Sequence, residues 1–203
     1  MKTNCRTFSC LRFARVFAMF ALVAGMSAGR ASVASAQLLD TDSIEDPFIQ
    51  LNDVNKADKD TFAIRGRVYV NPGADPVAAG LANGATAIVY QAGSALGAFV
   101  YVDSESWAPG ECKATSGGRS LYCKGTSGSS LRLRGTQSDP TSYRLNAVVK
   151  RRDFSPGKPF ELPLAGEIQV NSFDWTGQGA TDFCSVSNNG DRTTCRSSKA
   201  GPG

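Results

Sequence analysis

From Thr61 onward, apolar and polar residues alternate along the chain with a period of two. Phe62, Ile64, Gly66, Val68 and Val70 alternate with Ala63, Arg65, Arg67 and Tyr69. This is the pattern of a strand with one buried face, and Asn71-Pro72-Gly73 ends it. The same texture predicts strands over residues 86–90, 98–102, 111–115, 120–124, 130–134, 143–150 and 162–170. Within the last of these, Pro163 marks an edge or an early bulge. Val77 to Leu81 is the one place outside the N-terminus where the pattern allows a helical turn. Roughly eight short strands separated by turn signals predict an all-β fold, an antiparallel two-sheet sandwich, with a small barrel as the alternative.

Two turn signals have cysteines placed symmetrically about them. Cys112 and Cys123 bracket Gly117-Gly118, and Cys184 and Cys195 bracket Asn189-Gly190. Gly-Gly and Asn-Gly favour two-residue hairpin loops, because both central positions need positive φ. Folding each segment about such a loop brings its two cysteines face to face. Four cysteines allow three pairings, and the turn geometry favours the local one, giving two disulfide-stapled hairpins. Counted out from a two-residue loop, each pair falls at a hydrogen-bonded site with Cα atoms about 5.5 Å apart. A bulge or a longer turn would bring them closer.

The N-terminus has a different texture. Lys2, Arg6, Arg12 and Arg15 precede an apolar run from Val16 to Met26, and Ala34-Ser35-Ala36 follows. That order predicts a cleaved signal peptide over residues 1–36. The apolar run is shorter than the roughly 20 residues a membrane span needs, and the mature chain is expected to carry no transmembrane span. Export also suits an even number of cysteines. Removing the leader takes five basic residues and no acid, leaving 17 basic against 18 acidic residues. The basic character of the whole chain therefore belongs to the leader and gives no reason to expect nucleic acid. Residues 37–60 are rich in aspartate and read as an acidic linker. The predicted organisation continues with a β-sandwich domain over 61–170, a C-terminal disulfide hairpin over 171–196 packed on it, and a disordered tail over 197–203.

The segments Thr61-Phe-Ala-Ile-Arg-Gly-Arg-Val68 and Tyr143-Arg-Leu-Asn-Ala-Val-Val149 carry a resemblance in their strand rhythm. Residues 61–170 resemble the immunoglobulin-like β-sandwich modules of exported bacterial proteins. The resemblance implies a sandwich and carries over no functional residue.

Candidate chemistry is sparse. The chain contains no histidine, which excludes Ser-His-Asp and Cys-His catalysis and histidine-ligated metals. Asp103 and Glu105 lie on one strand face and offer a carboxylate pair for hydrolysis, although solvated strand-end residues are the simpler reading. The acidic stretch from Asp53 to Asp60 suggests a loose calcium loop out of register with the EF-hand pattern. Lys150-Arg151-Arg152 is a basic knot that offers a contact for an anionic polymer such as lipopolysaccharide or nucleic acid, although a solvated loop beside Asp153 is the simpler reading. Arg65 with Arg67 and Arg132 with Arg134 point outward as a basic stripe or as guards of sheet edges. Trp107, Phe173 and Trp175, with Tyr101 and Tyr122, are candidate ligand-binding aromatics if exposed, and core plugs otherwise. The resulting expectation is a non-enzymatic exported module without cofactor or metal, acting in the cell envelope or outside the cell. Its partner would be an envelope protein or a polysaccharide. The alternative is a carbohydrate-binding module that uses exposed tryptophans.

Overall fold

The computed structural model describes residues 42–52, 58–93, 98–154, 160–179, 183–187 and 190–197. Among these residues twelve strands and one α-helix follow in order: β1 (Ile44–Asn52), β2 (Asp60–Tyr69), α1 (Pro76–Asn83), β3 (Ala85–Ala92), β4 (Phe99–Trp107), β5 (Cys112–Thr115), β6 (Ser120–Lys124), β7 (Ser130–Gly135), β8 (Ser142–Arg152), β9 (Leu164–Val170), β10 (Phe173–Gln178), β11 (Ser185–Ser187) and β12 (Arg192–Arg196). They form two antiparallel sheets. The large sheet has the order β11-β12-β1-β2-β8-β7-β6-β5, and the small one β10-β9-β3-β4. The fold is thus the predicted all-β two-sheet sandwich with two disulfide-stapled hairpins.

The predicted alternation builds the core directly. Phe62, Ile64, Leu131, Leu133, Leu145 and Val149 line the inner face of the large sheet and are fully or almost fully buried. They face Val89, Leu164, Ile168, Val170 and Trp175 from the small sheet in one cluster. The sheets approach so closely at Gly166 that an added Cβ would lie 3.0 Å from the Ile64 side chain. Helix α1 develops the helical turn expected at Val77. Asp75 caps it by accepting from the amides of Val77 and Ala78 at 3.0 Å, and Pro76 starts it.

Three expectations are corrected. Residues 44–52, placed in the acidic linker, are an interior strand of the large sheet, with Ile44, Ile49 and Leu51 buried. A bulge between Glu45 and Phe48, with Asp46 at φ 47, breaks the period-two pattern that would have revealed it. The segment 171–196 is no appendage. Within it β10 completes the small sheet, and β12 pairs with β1 across Phe48↔Arg196 to Asn52↔Arg192. Pro163 lies just ahead of β9, which is an interior strand.

Both local disulfides are formed, Cys112–Cys123 and Cys184–Cys195, with Cα separations of 3.9 and 4.0 Å. The loops are longer than two residues. Thr115 pairs with Ser120, so Ser116 to Arg119 form a four-residue turn with Ser116, Gly117 and Gly118 all at positive φ. The longer turn shifts the cysteines to a close-approach site instead of the expected hydrogen-bonded one. The second hairpin has its last pair at Ser187↔Arg192, the same count. The predicted leader 1–36 lies outside the described residues, as does the predicted tail 197–203 beyond Ser197, whose amide donates to the Pro47 carbonyl at 3.0 Å.

Candidate functional site

Inward alternation of apolar residues on the large sheet forces their neighbours outward, and ten of those neighbours are arginines or lysines. Two rows cross the strands in register. One runs Arg196, Phe48, Arg65, Asn146, Arg132, Tyr122, Lys113. The other runs Glu45, Arg67, Arg144, Arg134, Ser120. With Lys124, Lys150 and Arg192, this outer face exposes ten arginines and lysines, and Glu45 is the single acid facing outward in these rows.

The first row is preorganised by aromatic rings. The Arg65 and Arg196 guanidinium groups lie 5.2 and 5.3 Å from the Phe48 ring centroid. The Lys113 and Arg132 head groups lie 5.7 and 5.2 Å from that of Tyr122. Each ring attracts cations through its quadrupole and fixes head groups that would otherwise wander. Arg65 also donates from Nε to Asn146 Oδ1 at 3.1 Å.

The second row is less compensated. Arg67 has Glu45 opposite it, and the Tyr69 hydroxyl donates to that same carboxylate at 2.9 Å. Arg144 stands between Arg67 and Arg134, directly opposite both. Among the described residues, no carboxylate forms an ion pair with Arg67, Arg119, Arg134 or Arg144. Arg119, Arg134 and Arg144 border a cleft of about 390 Å³ beside the first disulfide hairpin.

The aromatic site expected from the sequence is not assembled. Trp107 is 2 % exposed and Trp175 is fully buried. Trp107 Nε1 donates to the Ser129 carbonyl at 3.4 Å, and Trp175 Nε1 to the Tyr69 carbonyl at 2.9 Å. Phe173 is half-buried and stacks on Trp175 with centroids 5.5 Å apart. All three are therefore packing residues, which removes the tryptophan-based carbohydrate site. Tyr101 is exposed on β4, where its hydroxyl shares a hydrogen bond with that of Ser104, while Tyr122 joins the basic rows.

The carboxylate pair is also committed elsewhere. Asp103 and Glu105 do share a strand face, and Arg152 reaches both. Its Nε and Nη2 donate to Asp103 at 2.5 and 2.7 Å, and Nη1 donates to Glu105 at 3.3 Å. Arg152 also donates to the Ser104 carbonyl. The Asp103 hydrogen bond raises the arginine pKa further. Arg152 is thereby withdrawn from the expected basic knot, whereas Lys150 and Arg151 remain exposed. Asp60, the end of the suspected calcium stretch, is buried and accepts from the Phe154 amide at 2.7 Å. Residues 53–57 of that stretch lie outside the described residues.

Among the described residues, the outer face of the small sheet carries two acids and no arginine or lysine. Tyr90 donates to Glu167 at 2.5 Å, Gln169 donates to the same carboxylate, and Asp174 lies beside it. Burial and then the Glu167 charge hold the Asp174 carboxyl above the usual carboxylate range. Among the described residues, the cations of the sheet faces are thus gathered on the large sheet.

Sequence reasoning found Arg65, Arg67, Arg132 and Arg134 as outward residues. It missed Arg119 and Arg144 as their partners, because only strand pairing places them together. No protein-family model, curated protein or solved structure matches the chain.

Proposed function

We propose that the protein is an exported, non-catalytic module that docks on an anionic glycan of the cell envelope or its surroundings. The outer face of the large sheet makes the contact. The observation that carries this reading is the alignment of Arg67, Arg144 and Arg134 on three adjacent strands. Like charges directly opposite each other destabilise a sheet, and a polyanion laid across the row reverses that cost. Guanidinium groups suit the role because their planar fork engages sulfate, phosphate or carboxylate at two points.

Export is supported by the basic-then-apolar N-terminal sequence ending at Ala34-Ser35-Ala36 and by two formed disulfides. Among the described residues, no helix is long and apolar enough to cross a membrane. A glycan is favoured over nucleic acid because Phe48 and Tyr122 already have cations at their rings. Single-stranded nucleic acid needs open rings on which bases stack.

The test is retention of the oxidised protein on immobilised dextran sulfate, with neutral dextran and single-stranded DNA as comparisons. Retention on dextran sulfate is expected, eluting early as salt rises, and it should be lost when Arg67, Arg134 and Arg144 are all replaced by glutamine. Passage through dextran sulfate unretarded, or stronger retention on DNA, overturns the reading.

A further inference from the structure

We propose that the cleft beside the first disulfide hairpin binds one tetrahedral oxyanion, a phosphate or sulfate group carried on the glycan. This rests on the reading of the large-sheet face as an anion-docking surface and gives that surface a specific subsite. The cleft is bounded by Ser116, Arg119, Ser120, Arg134, Thr136 and Arg144. Three strands and a turn contribute, so the three guanidinium groups come from separate elements: Arg134 from β7, Arg144 from β8 and Arg119 from the β5–β6 turn.

A second observation points to a ligand independently of charge. Ser120 is 1 % exposed, and its hydroxyl has no hydrogen-bond partner among the described residues. A buried hydroxyl left unmatched is costly, and native folds rarely keep one without a reason. Ser120 shares the outer face with Arg134, which stands directly opposite it. The hydroxyl therefore belongs to the same cleft as the arginines, where an oxyanion would accept its proton.

The cleft is also held open by the backbone. The Gly135 amide donates to the Arg119 carbonyl at 3.0 Å, fastening the turn to β7. A Cβ on Gly135 would meet that carbonyl at 2.6 Å, so only glycine permits the approach. Asp139, on the turn that follows β7, is already engaged by the Thr141 amide at 2.9 Å and hydroxyl at 2.6 Å. Those two bonds hold its pKa below the usual range, so it does not take a proton from the site. A volume of about 390 Å³ exceeds what one phosphate fills and leaves room for the sugar that bears it.

The test uses inorganic phosphate and inorganic sulfate, titrated separately into the oxidised protein at fixed ionic strength. Amide chemical shifts are followed. Saturable shifts confined to residues 116–120 and 134–136 are expected, and the anion that binds more tightly identifies the group. Arg134→Gln and Arg144→Gln should each weaken binding about tenfold, the size of one charge-assisted hydrogen bond. Ser120→Ala should weaken binding several-fold while leaving the melting temperature equal or higher, because it removes an unmatched hydroxyl. Arg151→Gln, an exposed arginine outside both basic rows and the cleft, should leave both titrations unchanged.

Shifts that never saturate would overturn the proposal. So would equal weakening by Arg151→Gln and Arg144→Gln, or unchanged binding in Ser120→Ala. Retention on dextran sulfate without saturable phosphate or sulfate binding removes the cleft alone. Loss of both removes the docking face as well.

Discussion

Trp107 and Trp175 show how little a residue's sequence neighbourhood says about its exposure. Both stand among polar, turn-rich residues, yet both fill the ends of the core and satisfy their ring N–H on a backbone carbonyl. Trp175→Ala should destabilise the fold by about 3–5 kcal/mol, read from urea denaturation, without altering retention on dextran sulfate. A carbohydrate platform would show the reverse. Asp174 carries a second residue-scale consequence. Its pKa is raised in the folded state by burial and by Glu167. The folded protein therefore binds that proton more tightly than the unfolded chain does. The associated stability is present in acid and is lost as pH rises through the raised value. Asp174→Asn should flatten this part of the stability profile, measured by denaturant midpoints across pH 4 to 8, values that span the ordinary carboxylate range and above it. If wild type and Asp174→Asn kept the same slope, the proton would reside elsewhere.

Elements were legible wherever one buried face met unbroken pleating. Strand β2 shows this best, since Phe62, Ile64 and Val68 alternate with Arg65 and Arg67 and nothing interrupts them. Strand β1 was hidden for a physical reason. Pro47 and the bulge at Asp46 move its inward residues out of phase, so Ile44 and Ile49 no longer fall on one period-two template. Its acids then gave it the look of a linker. Ile49→Ala should cost about 2–5 kcal/mol, as for a filled core site, whereas a linker position would change stability by less than about 0.5 kcal/mol. The hairpin turns were located correctly but sized wrongly. Gly117 and Gly118 do adopt positive φ, and Ser116 joins them there, which no residue preference predicts. Removing the first staple by replacing Cys112 and Cys123 with alanine should lower stability by about 3 kcal/mol, the loop-closure contribution for a ring of this size. It should also loosen the turn that carries Arg119, so phosphate binding is expected to weaken along with stability.

At the scale of the whole molecule, the sandwich separates charge that cancels in the count. The predicted mature chain is close to neutral, with 17 basic and 18 acidic residues. The large sheet nevertheless exposes ten cations on its outer face, while Glu167 and Asp174 mark the outer face of the small sheet. Net charge alone gave no reason to expect an anionic partner. The register between strands, which composition does not encode, turned scattered arginines into rows. A molecule charged in this way should approach a polyanion in one orientation, with association slowing steeply as salt screens the exposed charges. Replacing Arg65, Arg132, Arg134 and Arg144 together with glutamine should abolish the salt-sensitive part of binding and leave the melting temperature unchanged or slightly raised, because like-charge pairs are relieved. The most direct test of the docking face is amide mapping of the oxidised protein with and without soluble dextran sulfate. The account predicts perturbation along β2, β8, β7 and β6 and none on β9 or β10. Perturbation centred on β9 and β10, or none on either sheet, would contradict it.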